Sequence, residues 1–66
     1  MIDPKYRPGE AVAQYRKAQG VTRIELARRT GIHVNIVARI EKTNRGCWFN
    51  IVALFDALGV DLSVIA

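Results

Sequence analysis

Sixty-six residues, half of them hydrophobic, allow one small domain. Ten Lys and Arg against six Asp and Glu give it a net charge of +4. A chain this short buries only about 60% of its unfolded surface, so an apolar excess favours association, and no apolar run approaches the roughly 20 residues of a membrane span. Met1 to Gln19, with Asp3 and Glu10 inside it, does not resemble a secretory signal, and a single Cys47 cannot staple the fold, so a reducing cytoplasm is the expected compartment.

The first seven residues, with Pro4 inside them and Pro8 following, read as an extended arm. Pro8 suits a first helical position, where its missing N–H costs nothing. A first helix is predicted from about Pro8 to Gln19, with Val12, Tyr15 and Ala18 inward and Gly20 ending it. Thr22 and Glu25, three residues apart, form a capping box that satisfies two orphan amides at the start of a second helix, about Arg23 to Arg29. Leu26 must reach the core, Ala27 must be small beneath a crossing helix, and Gly31 can take positive φ in a tight turn. The third helix, about Val34 to Lys42, buries Ile32, Val37 and Ile40. After the polar linker Thr43–Gly46, a fourth helix from Trp48 to Leu58 carries Trp48, Ile51, Val52, Phe55 and Leu58 as one apolar stripe. Gly59 closes it.

Residues 60–66 are open to two readings. Asp61 could cap a fifth helix, yet Val60, Leu62 and Val64 alternate with Asp61 and Ser63, which favours a strand. A lone strand needs a partner strand, and the same segment of a second copy is the economical one. Either way Val60, Leu62, Val64 and Ile65 imply a dimer. The expected fold is therefore all-α, with four helices, or five if the tail is helical, and a short C-terminal strand pairing across a dimer as the competing possibility. The whole of 1–66 reads as a single domain: an arm over 1–7, two helices and their turn over 22–42, and a dimerisation tail over 60–66.

Charge is unevenly placed. From Arg16 to Arg45 eight basic residues stand against Glu25 and Glu41, whereas from Gly46 onward only Asp56 and Asp61 are charged. Positive charge is thus concentrated on the two middle helices and their flanks, as a polyanion-binding surface requires. One histidine and one cysteine make neither a metal site nor a hydrolytic triad, so no cofactor and no enzyme activity are expected.

The stretch R-K-A-Q-G-V-T-R-I-E-L-A-R-R-T-G-I, then A-R-I-E, then A-L-F-D-A-L-G-V resembles the phage repressor/Cro-like (XRE-type) helix-turn-helix family in fixed register, over Gly9 to about Val60. The resemblance implies that the third helix enters the DNA major groove, with Val34, Asn35 and Arg39 at base-reading positions and His33 and Ala38 beside them. The side-chain chemistry agrees. Asn matches adenine N6 and N7, Arg matches guanine O6 and N7, and Val offers methyls to a thymine methyl. Val34 as a core residue is a rival reading. The resemblance also implies phosphate contacts from Arg23, where the family usually has Gln, and from the loop Lys42, Thr43, Asn44 and Arg45. Arg16 matches a basic position that often pairs with an acid such as Glu41. Arg28 and Arg29 read as solvated charges, and Ile36, where Ser or Thr is frequent, as either drawn inward or used in a protein contact.

The expected function is that of a dimeric, sequence-specific transcriptional regulator, a repressor on a two-fold symmetric operator, with double-stranded DNA and a second copy as partners and no membrane association. The alternative is the antitoxin of a toxin–antitoxin pair, which would bind a protein toxin and repress its own operon.

Overall fold

A computed structural model describes residues 7–60. Four helices follow one another: α1 (Pro8–Ala18), α2 (Arg23–Thr30), α3 (Val34–Thr43) and α4 (Trp48–Ala57). Each boundary lies within a residue of its expected place. The arm over 1–6 and the choice between strand and helix over 61–66 lie outside the described residues.

Local chemistry sets the ends of α2 and α3. Thr22 Oγ1 accepts the Glu25 amide at 3.1 Å and opens α2. The reciprocal half of the expected capping box is not made, because the Glu25 carboxylate turns to Arg29 at 3.3 Å and Arg28 at 3.6 Å. Two cations on the following turn outcompete one backbone amide. At the other end Gly31 stands at φ 74°, a left-handed conformation that costs a glycine almost nothing. Its amide donates to Ala27 O at 2.8 Å, and Thr30 Oγ1 donates to Leu26 O and accepts the Ile32 amide, so three hydrogen bonds hold the turn into α3.

The core is built from all four helices: Ala11, Val12, Leu26, Val37, Ile40, Ile51, Leu54, Phe55 and Leu58, with Val21 from the α1–α2 connection. Tyr15 meets Phe55 edge to face, ring centroids 6.3 Å apart, and Gln19 Nε2 donates to Leu58 O at 2.7 Å, so α1 is tied to α4 along its C-terminal half. Three expected core residues are corrected. Ala18 is exposed, and Ala11 takes the inward place, which tilts the buried side of α1 toward its start. Trp48 is also exposed and Val52 is half-buried outside the core, and Leu54 supplies the buried stripe of α4 with Ile51, Phe55 and Leu58. Because α4 is apolar on nearly every side, its periodicity did not single out one face.

Helices α1 and α3 approach closely. A Cβ placed on Gly9 would overlap the carbonyl of Ile40, so α3 passes directly over the first turn of α1. That turn is capped from far along the chain. Arg7 supplies no side-chain cap, and Asn44 Oδ1 accepts the Glu10 amide at 3.0 Å instead. Asn44 manages this from a left-handed backbone (φ 60°) at the C-cap of α3. A single residue thus ends one helix and begins another.

Candidate nucleic-acid interface

With Val37, Ile40 and Glu41 turned inward, α3 presents Asn35, Arg39 and Lys42 to solvent at i, i+4 and i+7, one continuous outward stripe. Neither Arg39 nor Lys42 pairs with an acid among the described residues, and the same holds for Lys17 and Arg45. Ala38 is half-buried beside the stripe, which keeps the helix surface low between Asn35 and Arg39. Val34 is half-buried as well. It lines an open groove of about 500 Å³ with Arg16, Lys17, Thr22, Arg23 and Ile24, where the end of α1 and the starts of α2 and α3 converge. Ile36 packs partly against the core, which answers the question its sequence position raised.

The outward helix starts from an unusual cap. His33 is extended (φ −61°, ψ 140°), and its Nδ1 accepts the Asn35 amide at 3.0 Å. A ring nitrogen here does the work of the hydroxyl or carboxylate oxygen found at most N-caps. An accepting Nδ1 puts the proton of the neutral ring on Nε2.

Beneath the stripe, one carboxylate gathers three elements. Glu41 Oε2 accepts Arg16 Nε at 2.7 Å and its Oε1 accepts a second Arg16 guanidinium N–H at 3.1 Å, a two-pronged buried pair. Arg16 also donates to Val21 O at 2.9 Å, so its charge is bonded on every side that matters. Arg23, from the first turn of α2, donates Nε to Glu41 Oε1 at 2.9 Å while 48% of its side chain remains exposed. Burial pushes the Glu41 carboxyl up, but hydrogen bonds and charge from Arg16 and Arg23 outweigh it and hold the group below the usual carboxylate range. The arginine–glutamate pair that the spacing allowed is therefore formed, and it has a third member that sequence reasoning did not assign.

The expected phosphate contacts divide. Lys42 and Arg45 are exposed cations on either side of the α3 C-terminus. Thr43 and Asn44, named with them, have their oxygens engaged within the protein: Thr43 Oγ1 donates to Arg39 O at 2.7 Å and accepts the Arg45 amide, and Asn44 caps α1. Arg23 is shared with Glu41. Lys17, which the reading of the sequence passed over, joins Arg23 in the groove. Arg28 and Arg29 are bound to Glu25 on the far face of α2. Of the tail residues, only Val60 is described, half-buried with its amide on Phe55 O, against its own core; Leu62, Val64 and Ile65 lie outside the described residues.

Comparison with known proteins agrees with this geometry. A family model described as helix-turn-helix matches residues 12–43, from the buried Val12 of α1 to the last residue of α3. No curated protein and no solved structure matches the chain. The matched segment contains both helices of the motif, the Gly31 turn between them and the whole outward stripe. Residues 12–43 carry a helix-turn-helix of the XRE type, a motif of DNA-binding transcription regulators.

Proposed function

We propose that this protein is a sequence-specific transcriptional repressor that acts as a dimer on a two-fold symmetric operator, with α3 in the major groove. The observation that carries the reading is the outward stripe of α3. It joins an amide, a guanidinium and an ammonium on one exposed face, with no acid paired to them among the described residues. Asn35 is matched to adenine and Arg39 to guanine by their donor and acceptor patterns. Val34, at the mouth of the groove, contributes methyls toward a thymine, and Ala38 leaves room for the base edges. His33 Nε2–H, at the start of α3, has the chemistry of a phosphate donor.

Lys42 and Arg45 would hold one stretch of backbone and Arg23 with Lys17 another. The Thr43 and Asn44 side-chain oxygens stay with the protein, so those two residues serve the phosphates by fixing the loop that carries Arg45. Selection of bound sites from random duplexes tests the reading. The expected outcome is a symmetric sequence whose half-sites are centred about one helical turn, ~34 Å, apart. Recovery of unselected sequence would overturn it.

A further inference from the structure

The fourth helix is apolar on two sides, and among the described residues only one of them packs against the core. Ile51, Leu54, Phe55 and Leu58 face the core. On the other side Phe49 is 83% exposed and Trp48 62% exposed, with half-buried Val52 and Ala53 one turn on. A helix hydrophobic all round is normally covered all round. The two rings together leave on the order of 300 Å² of apolar surface in water, already the size of the largest patch on a typical monomer, where such patches are often functional. This face also stands apart in charge. Every Lys and Arg of the chain precedes Gly46, and the only charge on α4 is Asp56.

We propose that the outer face of α4 is where two copies of this chain meet, face to face with its own counterpart; this deepens the dimeric reading above and rests on it. A two-fold contact sets a patch against itself, so the patch must be self-complementary. A cationic surface repels its copy, and on a chain of net charge +4 the outer side of α4 carries no cation. With the helices antiparallel about an axis near Val52 and Ala53, Phe49 packs on the second copy's α4. Asp56 then falls beside the first turn of that helix, its positive end, with Arg45 just before it. The rings of two copies supply roughly 600 Å², well below the ~1,200 Å² of a stable interface. The dimer is therefore weak in free solution, and DNA completes it by holding both copies.

Trp48 is the only tryptophan, so its emission reports the contact directly. The wild-type chain is followed without DNA by sedimentation and by Trp48 fluorescence across a micromolar concentration series. The expected result is a mass rising from 7.4 kDa toward twice that value, with emission moving to the blue at the same midpoint. Phe49→Asp should weaken self-association at least tenfold with helical circular dichroism unchanged, because Phe49 makes no core contact, and Phe49→Leu should retain most of it. Phe49→Asp should also keep wild-type affinity for a duplex carrying one half-site, which separates this proposal from the DNA-reading one: loss of half-site binding by a folded wild-type chain would sink the latter alone. Three results overturn the α4 interface. They are a wild-type chain monomeric throughout, a Phe49→Asp dimer as tight as wild type, or a Trp48 shift that appears only when one monomer binds one half-site, which would lay the face on DNA.

Discussion

At the level of single residues, the site divides into side chains kept free and side chains spent on the protein. Arg45 is exposed, and its amide is fixed by Thr43 Oγ1 at 3.3 Å. A cation held at the edge of the outward face has one obvious use, and counterion release makes it measurable. Arg45→Ala should weaken binding to all DNA sequences alike and flatten the dependence of log K on log salt by about 0.9. A slope that does not change would move the phosphate contact to another residue. Glu41 belongs to the opposite class, since all it does is hold Arg16 and Arg23. Removing it by Glu41→Ala leaves Arg16 buried without a counter-charge, which costs about 3–5 kcal/mol, a large part of the stability of so small a domain. Urea unfolding followed by circular dichroism checks this. The pH dependence has a definite sign. The folded-state pKa of Glu41 lies below its unfolded value, so its stabilisation is complete above the ordinary carboxylate range and is lost as pH falls through the lowered folded value. The acid limb of the stability curve should therefore shrink in Glu41→Gln relative to wild type; an identical limb would place the acid sensitivity elsewhere.

Among the elements, helix ends were far more legible than helix partners. Pro8, Thr22, Gly31 and Gly59 act on the few residues around them, so four helices could be bounded to within a residue from sequence alone. Leu26, Val37 and Ile40 were likewise legible, because α2 and α3 each have one apolar side and one charged side. The misplacements have physical causes. Trp48 was drawn into the core stripe because every turn of α4 offers an apolar residue on more than one face, and a period cannot choose among them. The Asn44 cap on Glu10 joins residues 34 apart, and Arg23 reaches Glu41 across 18. Neither leaves a local signature. The same holds for Gly9, whose requirement comes from Ile40 on another helix. Adding even a methyl there must push α3 off α1, since the atom in the way is backbone. Gly9→Ala should destabilise the domain by about 1–3 kcal/mol, the usual range for overpacking, although alanine is the better helix former. A denaturant midpoint equal to or above wild type would show that the two helices separate without cost.

For the whole molecule, the layout separates three tasks by face. The core and the Arg16–Glu41–Arg23 cluster hold α1, α2 and α3 in fixed relation. The cations that have no acid partner among the described residues gather around α3 and the groove at its start. The aromatic side of α4, which carries no cation, is left for a neighbour. The family was legible because its motif is local and lies in register, whereas the division between reading face and association face emerged only once α4 was placed. The most direct test of the account measures wild type, Asn35→Ala and Arg39→Ala on a selected operator and on a scrambled duplex over a range of salt. Each substitution is predicted to cost ~1–3 kcal/mol on the operator, with nonspecific affinity unchanged for Asn35→Ala and at most slightly lowered for Arg39→Ala. Equal losses on both duplexes, or no loss on either, would contradict the assignment of the exposed side of α3 as the surface that distinguishes one sequence from another.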